Sequence, residues 1–247
     1  MNKLASLPTV INTEFIKLRK CKVLWCIPLC SLCPDILIFL MYAVNKKYPM
    51  VIWKDYFTLI EMMINLLIGI GLFSILAGFI FSREYQENTV NSMFTYPISR
   101  MQFFVGKLIV MFILIFITLI SSFIVSVFLG LIIKHEPLTL SILLYYSKTY
   151  IFMAIMHFAL IPILAFLSIY NKSIIPTIIV GVSAIALNLI VINTKFNTLF
   201  PWSIPTILSP HEDGRTYTNY ALGITVLCAS FIIGTILSIK NIKEDVH

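Results

Sequence analysis

The sequence predicts an all-α membrane protein, and three observations carry that expectation. The chain has 247 residues, of which 59% are hydrophobic and only 12% charged, and its mean hydropathy is +0.95. Runs free of charge recur along it at roughly the 20-residue length that a bilayer demands. Alternating apolar and polar dyads, the mark of an outer-membrane barrel, are absent from the sequence, so helices are the spanning element. A soluble fold of this length would leave large apolar patches in water. One transmembrane domain over residues 1–247 is expected.

The first element is an amphipathic helix over about residues 6–22. Pro8 suits a first helical turn and Ser6 suits the cap before it. Val10, Ile11, Phe15, Leu18 and Cys21 share one face, while Asn12, Thr13, Lys17, Arg19 and Lys20 take most of the other, with Ile16 as the exception. Such a helix lies in the inner interface with its cations toward lipid phosphates.

Six spans follow, at about 23–44, 58–82, 108–133, 143–169, 173–193 and 220–239. The first is too long for the core of a signal peptide and is expected to stay as an anchor. Pro28 and Pro34 predict a kink in it. Counting Lys and Arg on alternate connections places both termini in the cytoplasm. Trp53, Tyr56, Tyr145, Tyr146, Trp202 and Tyr220 then fall near the outer interface as an aromatic belt. The net charge of +7 lies mostly at span ends, where anionic headgroups are the partner, and nucleic-acid binding is not expected.

Chemistry-bearing motifs are few. The sequence has no H-E-x-x-H, no G-x-S-x-G and no phosphate loop; Gly106-Lys107 lacks the preceding Gly and the following Ser or Thr. The chain is therefore expected not to be an enzyme and to bind no cofactor. Cys30 and Cys33 form a C-x-x-C within an apolar run; with Cys26 they follow helical spacing and are expected to pack on one face rather than to hold a metal or a redox pair.

Ionisable residues inside spans are costly and default to functional candidates. Asp35 lies in the first span directly after Pro34, Glu61 near the outer end of the second, within reach of water, and His157 near the middle of the fourth. Each suits contact with a polar substrate group, and each suits an interhelical pair. Gly69, Gly71 and Gly78, with Ser74 and Ala77, leave a smooth strip on the second span, fit either for packing within one chain or for a dimer interface.

Two connections stand out. Residues 194–219 are long and Pro-rich with an apolar first half, including Phe200-Pro201-Trp202-Ser203-Ile204-Pro205, which suits a re-entrant outer hairpin shielded by neighbouring helices. Trp202, His211, Glu212 and Asp213 are its outer-surface candidates. Residues 83–100 crowd charge between two apolar spans. Arg83, Glu84, Glu87, Asn88 and Thr89 follow the second span; Ser82, Asn88 and Thr89 suit helix caps. Asn91, Ser92, Met93, Phe94 and Tyr96 continue a short helix of mixed face, and Pro97 stops it before Ile98-Ser99-Arg100 turns the chain back. Both charge signs beside Met and aromatic side chains suit a docking surface on the cytoplasmic side.

With these residues on the page, the chain resembles the ABC-2 type permeases, the membrane subunits of ABC transporters. Their loop between the second and third spans runs as an acid-rich helix start, a Thr, an apolar stretch, a Pro-x-Ser-Arg turn and a later Lys. This sequence offers Arg83-Glu84, Glu87-Asn88-Thr89, Tyr96-Pro97-Ile98-Ser99-Arg100 and Gly106-Lys107. Glu14, Lys17, Leu18 and Arg19 also look like the family's start, and the Pro-rich stretch at 200–205 is similar to the outer segment of its peptide-resistance members. Asn88 stands where many members have Gly.

The resemblance implies six spans, an amphipathic N-terminal helix, a cytoplasmic coupling helix in the 83–100 loop and re-entrant outer helices before the last span. It implies a homodimer of this chain with two ABC ATPase subunits, which bind ATP and Mg, in a bacterial cell membrane. Within the family the chain looks most like the permeases of Gram-positive bacteria that protect against bacitracin or lantibiotics, by export or by removal from the membrane. The coupling residues on this reading are Arg83, Glu84, Glu87, Asn88, Thr89 and Arg100. Two other readings stand beside it: a secondary transporter driven by an ion gradient, with Asp35, Glu61 and His157 as relay, and a non-transporting membrane immunity protein that binds its antibiotic through the outer loop.

Overall fold

The computed structural model describes residues 7–19, 27, 30–44, 50–89, 99–209 and 219–244. Within them the helices are α1 (Leu7–Arg19), α2 (Cys33–Val44), α3 (Trp53–Gln86), α4 (Arg100–Ile132), α5 (Leu140–Tyr170), α6 (Ile175–Val191), α7 (Ile204–Leu208) and α8 (Tyr220–Glu244). Short 3-10 turns at Asn197–Leu199 and Pro201–Ser203 lead into α7. No sheet forms among the described residues; the nearest approach is a single parallel bridge between Val51 and His135. Helices α3, α4, α5 and α8 are each long and apolar enough to cross a membrane, whereas α2 and α6 are shorter apolar helices. The chain is a multi-pass membrane protein.

Helices α3, α4, α5 and α8 run past the limits that hydropathy suggests, while α6 stops inside them, and several ends have a local reason. Helix α4 begins at Arg100, ahead of the expected 108, because Ser99 and Gln102 form a reciprocal capping box: Gln102 N donates to Ser99 Oγ at 3.1 Å and Ser99 N donates to Gln102 Oε1 at 3.0 Å. Helix α3 extends to Gln86 and ends as Asn88 turns into the left-handed region at φ 54. Helix α5 starts at a Thr139 cap and tolerates Pro162 in its interior. The first apolar run breaks at a turn at Leu32, just before Pro34, where the kink is expected.

Helix α5 packs along α8 and α4; α3 lies against both α5 and α6; α1 lies across the start of α4; and α2 leans on α3 and α4. The small strip on α3 meets α6 within this chain. Gly78 faces Thr177, and Gly181 faces Ser74, so closely that a Cβ at either glycine would collide. At the end of the bundle away from α1, Phe57 stacks on Tyr146 at 4.3 Å and lies 5.9 Å from both Trp53 and Phe123. Trp53, Tyr56 and Tyr146 are therefore core side chains rather than belt residues, because three helices converge on them; Tyr145 and Tyr220 do stay exposed. Cys30, Cys33 and Cys228 are free and exposed, so Cys30 and Cys33 are not buried packing residues; Cys21 and Cys26 lie outside the described residues.

Candidate functional site

The scarce charge of this chain gathers at the α1 end of the bundle. The α3–α4 hairpin brings Arg83 and Glu84, from the last turns of α3, alongside Lys107 in the second turn of α4. The Glu84 carboxylate accepts hydrogen bonds from two ammonium groups, that of Lys107 through Oε2 and that of Lys17, on α1, through Oε1 at 3.3 Å. Lys17 also donates to Glu14 at 2.6 Å, and Lys107 donates to the Ile80 carbonyl at 2.5 Å. Two acids and two ammonium groups thus alternate in a neutral set. Glu84, Lys107 and Glu14 are each buried, and only Lys17 keeps partial contact with the surroundings. The Phe103 ring lies beneath both ammonium groups, 5.0 Å from Lys17 Nζ and 5.1 Å from Lys107 Nζ.

Burying ions costs several kcal/mol each unless partners and hydrogen bonds are complete, so a set such as this fixes one arrangement more than it adds stability. Here the arrangement fixed is α1 against the hairpin. Arg83 reinforces it by donating from Nη1 to the Lys17 carbonyl at 3.1 Å, while its Nε reaches Glu87 at 2.8 Å. Val10 and Leu18 supply the apolar part of the contact, and Val10 sits against Gly106. Val10, Ile11, Phe15 and Leu18 turn inward as the periodicity predicts, with Glu14 buried among them, and Ile16 is exposed as the expected exception; Cys21 lies outside the described residues. Lys17 is a departure: it points into the protein at Glu84 rather than at lipid phosphates, because two carboxylates lie within its reach.

The candidate coupling residues therefore divide by direction. Glu84 faces inward. Glu87 has 51% of its side chain exposed, and Asn88 is exposed beside it. Thr89 closes the end of α3 by donating its amide to the Glu84 carbonyl at 3.0 Å. Arg100 reaches across to α8, where its Nη1 donates to the Ile242 carbonyl at 2.8 Å. One charged end thus binds α1, α3, α4 and α8 to one another, with Glu87 and Asn88 exposed among the described residues at the tip of α3. The expected short helix at 91–96 lies outside the described residues.

The intramembrane candidates are all buried. Asp35, in the first turn of α2, accepts from Ser122 on α4 at 2.7 Å through Oδ2. One α-helical turn along α4, the Ser126 carbonyl accepts from Tyr56 Oη at 3.2 Å. Asp35 is thus enclosed between α2 and α4. Glu61 is fully buried rather than reaching water, because α3 begins at Trp53, two turns before it, and carries it inside the bundle. His157, on α5, faces α3 four residues beyond Glu61. Its Nε2 lies 2.9 Å from Asn65 Oδ1, its ring packs on Gly69, and Phe73 meets it edge-on. Asn65 and Ser122 are functional-region residues that reading the sequence missed, although a lone Asn in an apolar run and the Ser122/Ser126 spacing were both available as signals.

The outer-loop candidates are only partly described. Trp202 is half-buried against Phe200, at 5.7 Å between rings, and His211, Glu212 and Asp213 lie outside the described residues. The turns before α7 are closed by Ser203, which donates to the Phe200 carbonyl at 2.8 Å and also to that of Asn197. Between α5 and α8 an apolar groove of about 740 Å³, lined by Phe152, Met156, Phe158, Leu227 and Phe231 among others, faces outward.

Comparison with known proteins now bears on this arrangement. The profile of the ABC-2 family transporter proteins matches residues 10–188, which take in α1, the charged hairpin and everything through most of α6. The chain belongs to the ABC-2 transporter family. It is also 27% identical over 210 residues to the bacitracin transport permease protein BCRB of Bacillus licheniformis, a match covering 83% of this chain and 100% of that protein. The chain is thus the membrane permease of an ABC transporter, a class whose transmembrane components carry no ATPase activity and associate with a separate ABC ATPase. In the permease, the clamp around Glu84 lies within the matched region, as do Asp35, Glu61 and His157.

Proposed function

We propose that the permease exports a peptide antibiotic of the bacitracin or lantibiotic type, or removes it from the membrane, and so protects the cell that carries it. The observation that carries this reading is the relationship to a bacitracin transport permease along all of that protein's length. In this proposal the chain crosses the membrane six times, with both termini and the α1 end in the cytoplasm, and the segment 194–209 dips back from the outer face. Two copies assemble with two ATPase subunits, which hold ATP and Mg.

The charged end supports a mechanism. The exposed tip of α3, with Glu87 and Asn88, is free to meet a partner, whereas Glu84, Lys107 and Lys17 lock that tip to α1. A force on the tip is then shared by α1, α3 and α4 as one body. Closure of the ATPases tilts that body and changes access between the two permease chains, with the difference in contacts between nucleotide states supplying the free energy.

The test is Glu87→Lys combined with Arg100→Glu. The double variant is expected to insert normally and to hydrolyse ATP with its partner while losing bacitracin protection by at least about tenfold. Survival assays beside ATPase assays on the purified complex read this out. Full protection in a normally assembled double variant would rule the coupling role out.

A further inference from the structure

Half-way along α3 the helix stops being α-helical. From Ile64 to Leu72 it is a π-helix, and at its close the Phe73 amide donates to the Ile68 carbonyl, five residues back. Such geometry normally lasts a single turn, because it is less favourable than the α-helix, so a nine-residue stretch needs something to hold it.

Of the side chains that meet it from other helices, one runs along its length. The His157 imidazole, from α5, meets Asn65 near the start of the stretch, Gly69 in its middle and Phe73 just past its end. At Gly69 the fit admits no Cβ, since one built there would overlap the ring. At Phe73 the ring centroids are 5.5 Å apart with an interplanar angle of 69°. The amide of Asn65 has a second neighbour: Nδ2 lies 3.5 Å from the Pro205 carbonyl of α7, which also accepts from the amide and hydroxyl of Ser209. With Nδ2 turned that way, Oδ1 faces His157 Nε2 and pairs with it as acceptor to donor.

Both halves of α3 are registered against α5 and α6. Within the π stretch Asn65 and Gly69 meet His157, Gly71 meets Ile185 and the Ile70 carbonyl lies against Gly181; beyond it Ser74 meets Gly181, Gly78 meets Thr177, and the Gly78 carbonyl accepts from Ser168. Returning the stretch to α-helix would turn one half against the other by about 100° for each residue of register. Both sets of contacts cannot survive that turn.

We propose that the π stretch is a rotary joint of the transport cycle and that His157 is the positioning residue that sets it. In the described state the imidazole holds Asn65 and Gly69 in π register, which keeps α7 tied to α3 through the Pro205 carbonyl. In the alternate nucleotide state the hairpin turns the inner half of α3, the stretch becomes α-helical, Asn65 leaves both His157 and Pro205, and α7 is released. This rests on the reading of the α3–α4 hairpin as the ATPase contact.

The experiment is hydrogen exchange of residues 64–72 in the assembled complex of the permease with its ATPase, compared between ADP and ATP held by a hydrolysis-deficient ATPase. In the wild type, exchange in this stretch is expected to change by about tenfold between nucleotide states. In His157→Leu the change is expected to vanish and bacitracin protection to fall, while ATP hydrolysis continues. In His157→Gln, whose amide can still donate to Asn65, both are expected to return. Asn65→Leu reads the same contact from the other side if His157→Leu does not assemble. An assembled wild-type complex with identical exchange in both states overturns the joint and leaves the hairpin reading standing. A chain that assembles with no ATPase overturns both.

Discussion

Lys107 holds an ammonium group at 4% exposure between the Glu84 carboxylate and the Ile80 carbonyl. Removing it leaves Glu84 buried with, among the described residues, the longer 3.3 Å contact to Lys17. Lys107→Met is therefore expected to cost about 3 kcal/mol, the scale for breaking a buried pair from one side. Adding Glu84→Gln should recover much of that loss, because the stranded charge goes with it. Thermal unfolding of the purified protein in detergent checks both, and the shortfall from additivity measures the pair. A merely additive double variant would show that the two side chains do not depend on each other. Glu84 itself was legible as a coupling residue only by its place in the loop; that it turns inward follows from Lys17 and Lys107, 67 and 23 residues away, which no local pattern reveals.

Helix α3 shows how far hydropathy carries and where it stops. Its apolar run marks a span at 58–82, but the helix itself is Trp53–Gln86. Hydropathy reports contact with lipid, whereas helix length is set by caps and partners: Arg83 and Glu84 remain helical because α1 and α4 satisfy them. The π stretch, Ile64–Leu72, was not legible at all. Its residues read as uniformly apolar apart from Asn65 and two glycines, and the side chain that meets them is 92 residues from Asn65. The small strip was legible as a close contact, and its partner was not. Because Gly78 meets Thr177 on α6, Gly78→Leu is expected to push the two helices apart at a cost of about 2 kcal/mol. Detergent melts measure this, and Thr177→Ala should relieve part of it. An unshifted melting temperature for Gly78→Leu would mean the helices do not meet there.

The two ends of the bundle are held by different means, one by buried ion pairs and the other by stacked aromatic side chains. The charged end holds Glu14, Lys17, Glu84 and Lys107; the other holds the stack around Phe57 and the clasp in which Trp53 donates its indole Nε1–H to the Glu136 carbonyl at 2.9 Å. If the charged end is cytoplasmic, a cysteine placed at Ser99 will react with a membrane-impermeant thiol reagent only in inverted vesicles, and one at His135 only in intact cells. These labels need a background in which the native cysteines, exposed Cys30, Cys33 and Cys228 included, are replaced by serine. The opposite labelling would invert the topology and remove the ATPase from the hairpin. The ion clamp also imposes an order on biogenesis. Helix α1 leaves the ribosome before α3 and α4, yet the groups that fasten it reside in those two helices, so it has nothing to grip until the nascent chain has passed Lys107. Until then Glu84 enters the bilayer edge without its closest counter-ion, and α1 waits on two later membrane segments before it can settle.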